Sequence, residues 1–229
     1  MLLAIESATI EVAVALLGGD GPLSTVTARL GRRHAETLHP EIATVLELGG
    51  STLQDLDAVA VDVGPGLFTG LRVGVATANA LGAALGIPVI GATSLDIIAA
   101  ARQEGAPEIL PVVDMRRGEI AWQLPGSRLP FLGSLEAFFE AAEPLVESGQ
   151  RLWLAGDGAL RYRSQISERI DSAHFLGSGL AAPRAEVLGA LALSALELGT
   201  AGEGPARPLY LRDADVAINW ESRHGRSAS

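Results

Sequence analysis

Residues 2–16, LLAIESATIEVAVAL, and residues 110–124, LPVVDMRRGEIAWQL, are the two stretches on which the architecture turns. In each, a short apolar run ends in a carboxylate (Glu6 or Asp114), passes through a polar turn and returns as a second apolar run. That pattern predicts a β-hairpin. With residue 2 laid on residue 110, Glu6 falls on Asp114 and Val12 on Ile120, while Glu11, Ala13 and Leu16 meet the identical residues Glu119, Ala121 and Leu124. A repeat that opens each half is what duplication into two like lobes produces. The division expected is 1–105 and 106–218, with a flexible tail at 219–229.

Working outward from the first hairpin, residues 24–30 predict a third strand after the Gly-Gly-Asp-Gly-Pro turn at 18–22. Residues 34–48 carry Leu38, Ile42, Val45 and Leu46 at helical spacing and stop at Gly49-Gly50. Pro40 either opens that helix or kinks it. Residues 58–63, AVAVDV, read as a buried parallel strand. They run into Gly64-Pro65-Gly66-Leu67-Phe68-Thr69-Gly70 and a helix to about residue 85. A strand at 89–90 and a helix at 94–102 complete the first half. The second half adds a strand at 109–113, helices at 135–146, 159–170 and 185–198, and a strand at 152–155. The fold class expected is α/β, two similar lobes each with a mixed sheet flanked by helices. This is the layout of the actin-like superfamily, to which sugar kinases and chaperone ATPases belong and which is ribonuclease H-like.

Composition narrows the chemistry. The 229 residues contain no Cys, which removes thiolate nucleophiles, thiolate metal sites and disulfides. All 17 basic residues are Arg, so a P-loop lysine and Schiff-base chemistry are excluded. A formal net charge of -10 opposes unaided binding of a phosphate backbone. No run approaches the roughly 18 apolar residues that span a bilayer. The start, MLLAIESATI, has an acid at its sixth position and no basic n-region, so a signal peptide is not expected and the address is cytoplasmic.

Three features are candidates for function. In actin-like proteins the hairpin turns cradle nucleotide phosphates and the carboxylates hold Mg²⁺ through water, which makes Glu6, Ser7 and Asp114 a candidate nucleotide site. The competing reading is that they are turn formers. The 64–70 loop is either a vestigial anion loop, with Gly64, Gly66 and a capping Thr69 before a helix N-terminus, or a tight strand-to-helix turn. The helix after it carries small residues at every fourth place: Gly70, Gly74, Ala78, Gly82 and Gly86. Such a ridge lets another element approach closely, whether the protein's own sheet or a second chain. The histidines lack metal-pair spacing: His34 and His39 lie about 140° apart on a helix. No G-x-S-x-G elbow marks a nucleophile.

The blocks LLAIESATIEVAVALL, RHAETLHPEIATVL, DLDAVAVDVGPGLFTGLRVGVATANALG, VVDMRRGEIAW and PLYLR together resemble the TsaB (YeaZ) family. The resemblance covers residues 2–217, and the run around GPGLFTGLRVG is its most specific part. It implies the actin-like two-lobed fold. It also implies a non-catalytic subunit that binds TsaD, the enzyme placing a threonylcarbamoyl group on the adenosine beside the tRNA anticodon. TsaE joins them in a ternary complex, the free protein is a homodimer, and tRNA is met only through the complex. No cofactor is implied beyond a possible nucleotide with Mg²⁺. TsaD carries a metal-binding His pair in a stretch of the type HHMEGH, where this chain has Thr93-Ser94-Leu95-Asp96-Ile97-Ile98. Ser94 and Ile98 stand at the ligand positions, and an isoleucine coordinates nothing. The same difference argues against the metallopeptidase label once given to these families.

In the family the pairing uses two helices of the first lobe, here 34–48 and 70–85. The contact residues this implies are His34, Leu38, Ile42 and Val45 on the first, and Gly70, Val73, Gly74, Thr77, Ala78, Leu81 and Gly82 on the second. Glu6 departs from the Asp of many members, which weakens the nucleotide role. The rival reading is an autonomous Mg-nucleotide-dependent phosphotransferase built on Glu6, Asp114 and the 64–70 loop.

Overall fold

A computed structural model describes residues 1–29, 34–102, 105–127, 129–202 and 204–211, without the side chains of residues 34 and 35. The tail expected at 219–229 lies outside the described residues. β1 (Leu2–Glu6) and β2 (Glu11–Gly18) form the first hairpin, with Glu6 opposite Ala13. β3 (Gly21–Arg29) extends it antiparallel. β4 (Ala58–Asp62) and β5 (Val89–Ala92) add in parallel on the other side of β1, giving the order β3-β2-β1-β4-β5.

The second sheet repeats this plan. β6 (Ile109–Asp114) and β7 (Glu119–Trp122) form its hairpin, β8 (Phe131–Ser134) extends the hairpin, and β9 (Leu152–Ala155) and β10 (Ala173–Phe175) add in parallel. The order is β10-β9-β6-β7-β8. The similarity noticed in one hairpin thus extends to the whole of both sheets, and the fold is the actin-like one.

Seven helices cover these sheets among the described residues: α1 (His34–Leu48), α2 (Phe68–Leu85), α3 (Ser94–Ala100), α4 (Leu135–Glu147), α5 (Asp157–Arg161), α6 (Arg163–Arg169) and α7 (Ala185–Glu197). Pro40 sits inside α1 without ending it, and Thr44 Oγ1 donates to the Pro40 carbonyl at 2.8 Å. The single helix expected at 159–170 is two, because Tyr162 leaves the helical region at φ -100, ψ 16. β8 and β10 were not expected. They are short and only partly buried, so they lack the alternation that marks a strand.

Strand alternation decides what each face meets. Leu3, Ile5, Val12, Val14 and Leu16 point to α1 and α2, packing on Leu38, Ile42, Val45, Val75 and Ala78. Leu2, Ala4, Ala13, Ala15 and Leu17 point the other way, onto Ala185, Leu188 and Ala192 of α7 and Ile97 of α3. The alanines on this second face let α7 sit close. α3 also sends Leu95 and Ile98 to the second sheet, against Ile109, Val113 and Ala121. The outer face of that sheet buries Leu110, Val112, Ile120 and Trp122 against Phe138, Ala159 and Ile166. A cut near residue 105 therefore separates the sheets but not the packing, since α7 comes from the second half and closes the first sheet.

Candidate functional site

Because Ile5 and Val61 are register partners in parallel neighbouring strands, Glu6 and Asp62 leave the sheet side by side. Both are fully buried. Glu6 Oε1 accepts the Ala8 N–H at 2.8 Å, while Oε2 has no hydrogen-bond partner among the described residues. Asp62 Oδ1 accepts Gly64 N–H at 2.7 Å, and Ser94 Oγ lies 2.8 and 2.9 Å from its two oxygens. Ser94 N–H in turn donates to the Gly64 carbonyl at 2.9 Å. Burial pushes the carboxyl of Asp62 up to about 7. Burial, reinforced by the charge of Asp62, pushes Glu6 well above the usual carboxylate range.

The 64–70 loop is fastened to this pair. Leu67 N–H donates to the Ala8 carbonyl at 2.6 Å, and Ser7 Oγ to the Gly70 carbonyl at 2.9 Å. Gly64 takes φ 99, a left-handed conformation that favours glycine. At Gly66 the reason is space: a Cβ would stand 2.2 Å from the Ala8 oxygen. The helix N-cap is Leu67, without a side-chain hydrogen bond, and Thr69 lies inside α2. Its expected capping role is therefore corrected. Ala8, Gly64 and Leu67 spend their N–H groups within the fold, and two buried carboxyls stand beside them. These contacts account for Glu6, Ser7, Gly64 and Gly66 without an anion.

Asp114 belongs to a separate cluster. Its N–H donates to Asp157 Oδ1 at 2.8 Å, and its Oδ1 accepts Arg116 N–H at 3.0 Å. Arg116 and Arg161 reach its Oδ2 at 3.1 and 3.3 Å. Burial raises the carboxyl of Asp157. The hairpin carboxylates thus have different partners, Glu6 beside Asp62 and Asp114 with Asp157 and the two arginines. Sequence reasoning singled out Asp114 and did not connect it to Asp157, since β6 and the start of α5 meet only in the folded chain.

The small-residue ridge corrects a second expectation. Gly70, Gly74, Ala78 and Gly82 face the chain's own sheet and are buried. A Cβ at Gly74 would lie 2.2 Å from Ser7 Oγ, and one at Gly82 would lie 2.3 Å from Val89. Leu38, Ile42 and Val45 are likewise core residues. None of these seven presents surface to another chain, because an amphipathic helix spends its smallest and most apolar stripe on the nearest sheet. Val73, Thr77 and Leu81 are half-buried at the edge of that stripe, and Ala76 and Arg72 are exposed. The side chain of His34 lies outside the described residues.

At the N-terminal end of α2 the exposed face carries a cluster the sequence did not announce. Arg72 stacks over Phe68 at 3.8 Å from the ring centroid and donates to Tyr210 Oη at 3.0 Å. Phe68 and Tyr210 are 48% and 46% exposed, so the cluster remains open on its outer side. Residues 204–211 reach it by crossing the first lobe. Ala206 exchanges two hydrogen bonds with Asn79, both 2.9 Å, and Leu209 N–H donates to the Val63 carbonyl at 2.7 Å. In the sequence, PLYLR stood out only as the last block of the family resemblance.

At Ser94 and Ile98, which the resemblance sets against the TsaD metal pair, the side chains are engaged within the fold. Ser94 commits its hydroxyl to Asp62, and Ile98 is buried in the apolar contact between α3 and the second sheet. No group of three or more His, Asp or Glu suited to a metal occurs among the described residues. A groove of about 490 Å³ lies between β5, α3, α7 and the start of β6, lined in part by Asp96, Arg102, Glu108 and Gln123. Its lining includes Ile109 and Pro111 at the start of β6 and not Asp114 at the other end. Among the described residues no helix is long and apolar enough to cross a membrane.

A family model described as TsaD, tRNA N6-adenosine threonylcarbamoyltransferase, matches residues 25–220. An uncharacterized protein of Mycobacterium tuberculosis is 44% identical over 53% of this chain and 57% of its own length. The match spans 34% of a Mycobacterium leprae relative, so the chain covers well under two thirds of the first curated relatives. The tRNA threonylcarbamoyladenosine biosynthesis protein TsaB of Bacillus subtilis is 27% identical over 96% of this chain and 97% of its own. Among solved structures, a Pseudomonas aeruginosa protein described as similar to peptidase YeaZ superposes with a TM-score of 0.77 at 30% identity, covering 92% of this chain and 99% of that one.

Proposed function

The chain belongs to the TsaB (YeaZ) family, and from that membership we propose that it is a non-catalytic subunit of the tRNA N6-threonylcarbamoyladenosine machinery. In this reading it binds a TsaD-type partner, which transfers the threonylcarbamoyl group, and TsaE joins the pair. Alone it forms a homodimer, it meets tRNA through the complex, and it works in the cytoplasm. The observation that supports the non-catalytic assignment is the pairing of Ser94 with Asp62 and the burial of Ile98, at the positions that the resemblance sets against the TsaD metal pair.

The docking face proposed is the outer side of α1 and α2 in the 1–105 lobe. On α2 it consists of Val73, Thr77 and Leu81, the exposed Ala76, and the Phe68–Arg72–Tyr210 cluster. Aromatic and Arg residues are the side chains that anchor protein interfaces. The test is co-expression with the TsaD of the same organism. Ala76→Arg and Thr77→Arg should each abolish co-purification while leaving the melting temperature of the lone protein unchanged. A complex that survives both substitutions would place the interface elsewhere. Modification of tRNA by this chain without TsaD would overturn the subunit assignment itself.

A further inference from the structure

Glu6 Oε2 is an anomaly: the carboxyl is fully buried beside a second buried carboxyl, the backbone N–H groups of Ala8 and Thr9 favour its charged form, and Oε2 makes no hydrogen bond of ordinary geometry among the described residues. Buried polar atoms are almost always satisfied, so this one requires an explanation. A metal ion does not supply it. Asp62 already accepts from Gly64 N–H and Ser94 Oγ, which leaves a single spare oxygen, and no third carboxylate or histidine completes a ligand set among the described residues. The cation that needs no coordination shell is a proton.

We propose that Glu6 and Asp62 act as a one-proton latch. A proton carried by this pair at neutral pH keeps the 64–70 loop seated on the β1–β2 turn, and its loss releases that loop and the first turn of α2.

The geometry ties each carboxyl to a different part of the seat. Glu6 holds the turn through Ala8 N–H, and Ala8 in turn accepts from Leu67. Asp62 holds the loop start through Gly64 and the head of α3 through Ser94. With one proton the pair carries a single negative charge, matched by those donors. With none, two like charges lie side by side in a site closed to water, and separation of the strand ends is the available relief. The charged groups facing the pair reinforce this direction: Glu11 on β2 acts on Glu6, and Asp96 on α3 acts on Asp62. Ser7 and Ser94 are neutral, and α2 presents Gly70 and Gly74. The latch holds whatever α2 docks onto, so a failed pull-down with TsaD leaves it standing.

Two measurements on the full-length protein test it. Difference infrared spectroscopy at about pH 7 should show a protonated-carboxyl band that Glu6→Gln or Asp62→Asn removes. Hydrogen exchange, corrected for the intrinsic rate, should show the amides of Gly64 and residues 66–71 losing roughly tenfold protection as the pH rises above neutral. Glu6→Gln, which places a permanent donor beside Asp62, should abolish that loss. No protonated band in the wild-type protein overturns the latch, even if a variant fails to fold. Equal pH dependence of loop protection in wild type and Glu6→Gln also overturns it.

Discussion

Ser7 and Gly74 approach so closely that the helix has no room for a side chain where they meet: a Cβ on residue 74 would lie 2.2 Å from Ser7 Oγ. Ser7 Oγ is itself fixed by its hydrogen bond to the Gly70 carbonyl, one turn earlier on the same helix. The contact joins the β1–β2 turn to α2 and explains why the ridge is stripped of bulk.

Gly74→Ala should therefore destabilise the monomer. Overpacking costs about 1–3 kcal/mol, against a helix-propensity gain of about 1 kcal/mol, so the expected net loss is up to about 2 kcal/mol. Gly74→Leu should prevent folding. Ala76→Leu on the exposed side should change the urea midpoint little, and equal midpoints for Gly74→Ala and wild type would contradict the packing described.

The folded-state carboxyl of Asp62 lies near 7 rather than at its ordinary value of 3.8. Between those limits the native protein holds a proton that the unfolded chain has released. The stability this contributes is full below about pH 4 and is lost as pH rises through about 7. The urea midpoint should fall between about pH 4 and pH 7, and Asp62→Asn should flatten that fall. A midpoint that rises over the range would contradict the burial of an uncompensated pair.

Asn79→Ala removes both hydrogen bonds to Ala206 and should cost about 1–3 kcal/mol, since each contributes about 0.5–1.5 kcal/mol. The loss should concentrate in the strap. Limited proteolysis between residues 204 and 211 should accelerate more than global unfolding does. Unchanged cleavage would mean that the strap is held by other contacts.

Arg72→Ala removes the stacking on Phe68 and the hydrogen bond to Tyr210. At an exposed site the stability loss should stay near 1 kcal/mol, measured by thermal melting. If the cluster anchors a partner, the affinity for TsaD should fall by more than this, about 2 kcal/mol or roughly thirtyfold, in a titration. Equal losses in the two measurements would make the cluster a strap contact alone.

The sequence by itself determined the duplicated hairpins, the bounds of α1, the strand at 152–155 and the family, because these rest on local periodicity and on motifs that sit within one segment. It also showed that α2 has a ridge without bulk. What the ridge packs against was decided only in three dimensions. An every-fourth-residue stripe records that something comes close, and the twist and register of β1, β4 and β5 decided that the neighbours are Ser7 and Val89 of the same chain. The Glu6–Asp62 pair was illegible for the same reason. Its members belong to strands far apart in the chain, made neighbours by the parallel ladder through Ile5 and Val61. The electrostatics followed from that adjacency and from burial, neither of which a single segment encodes.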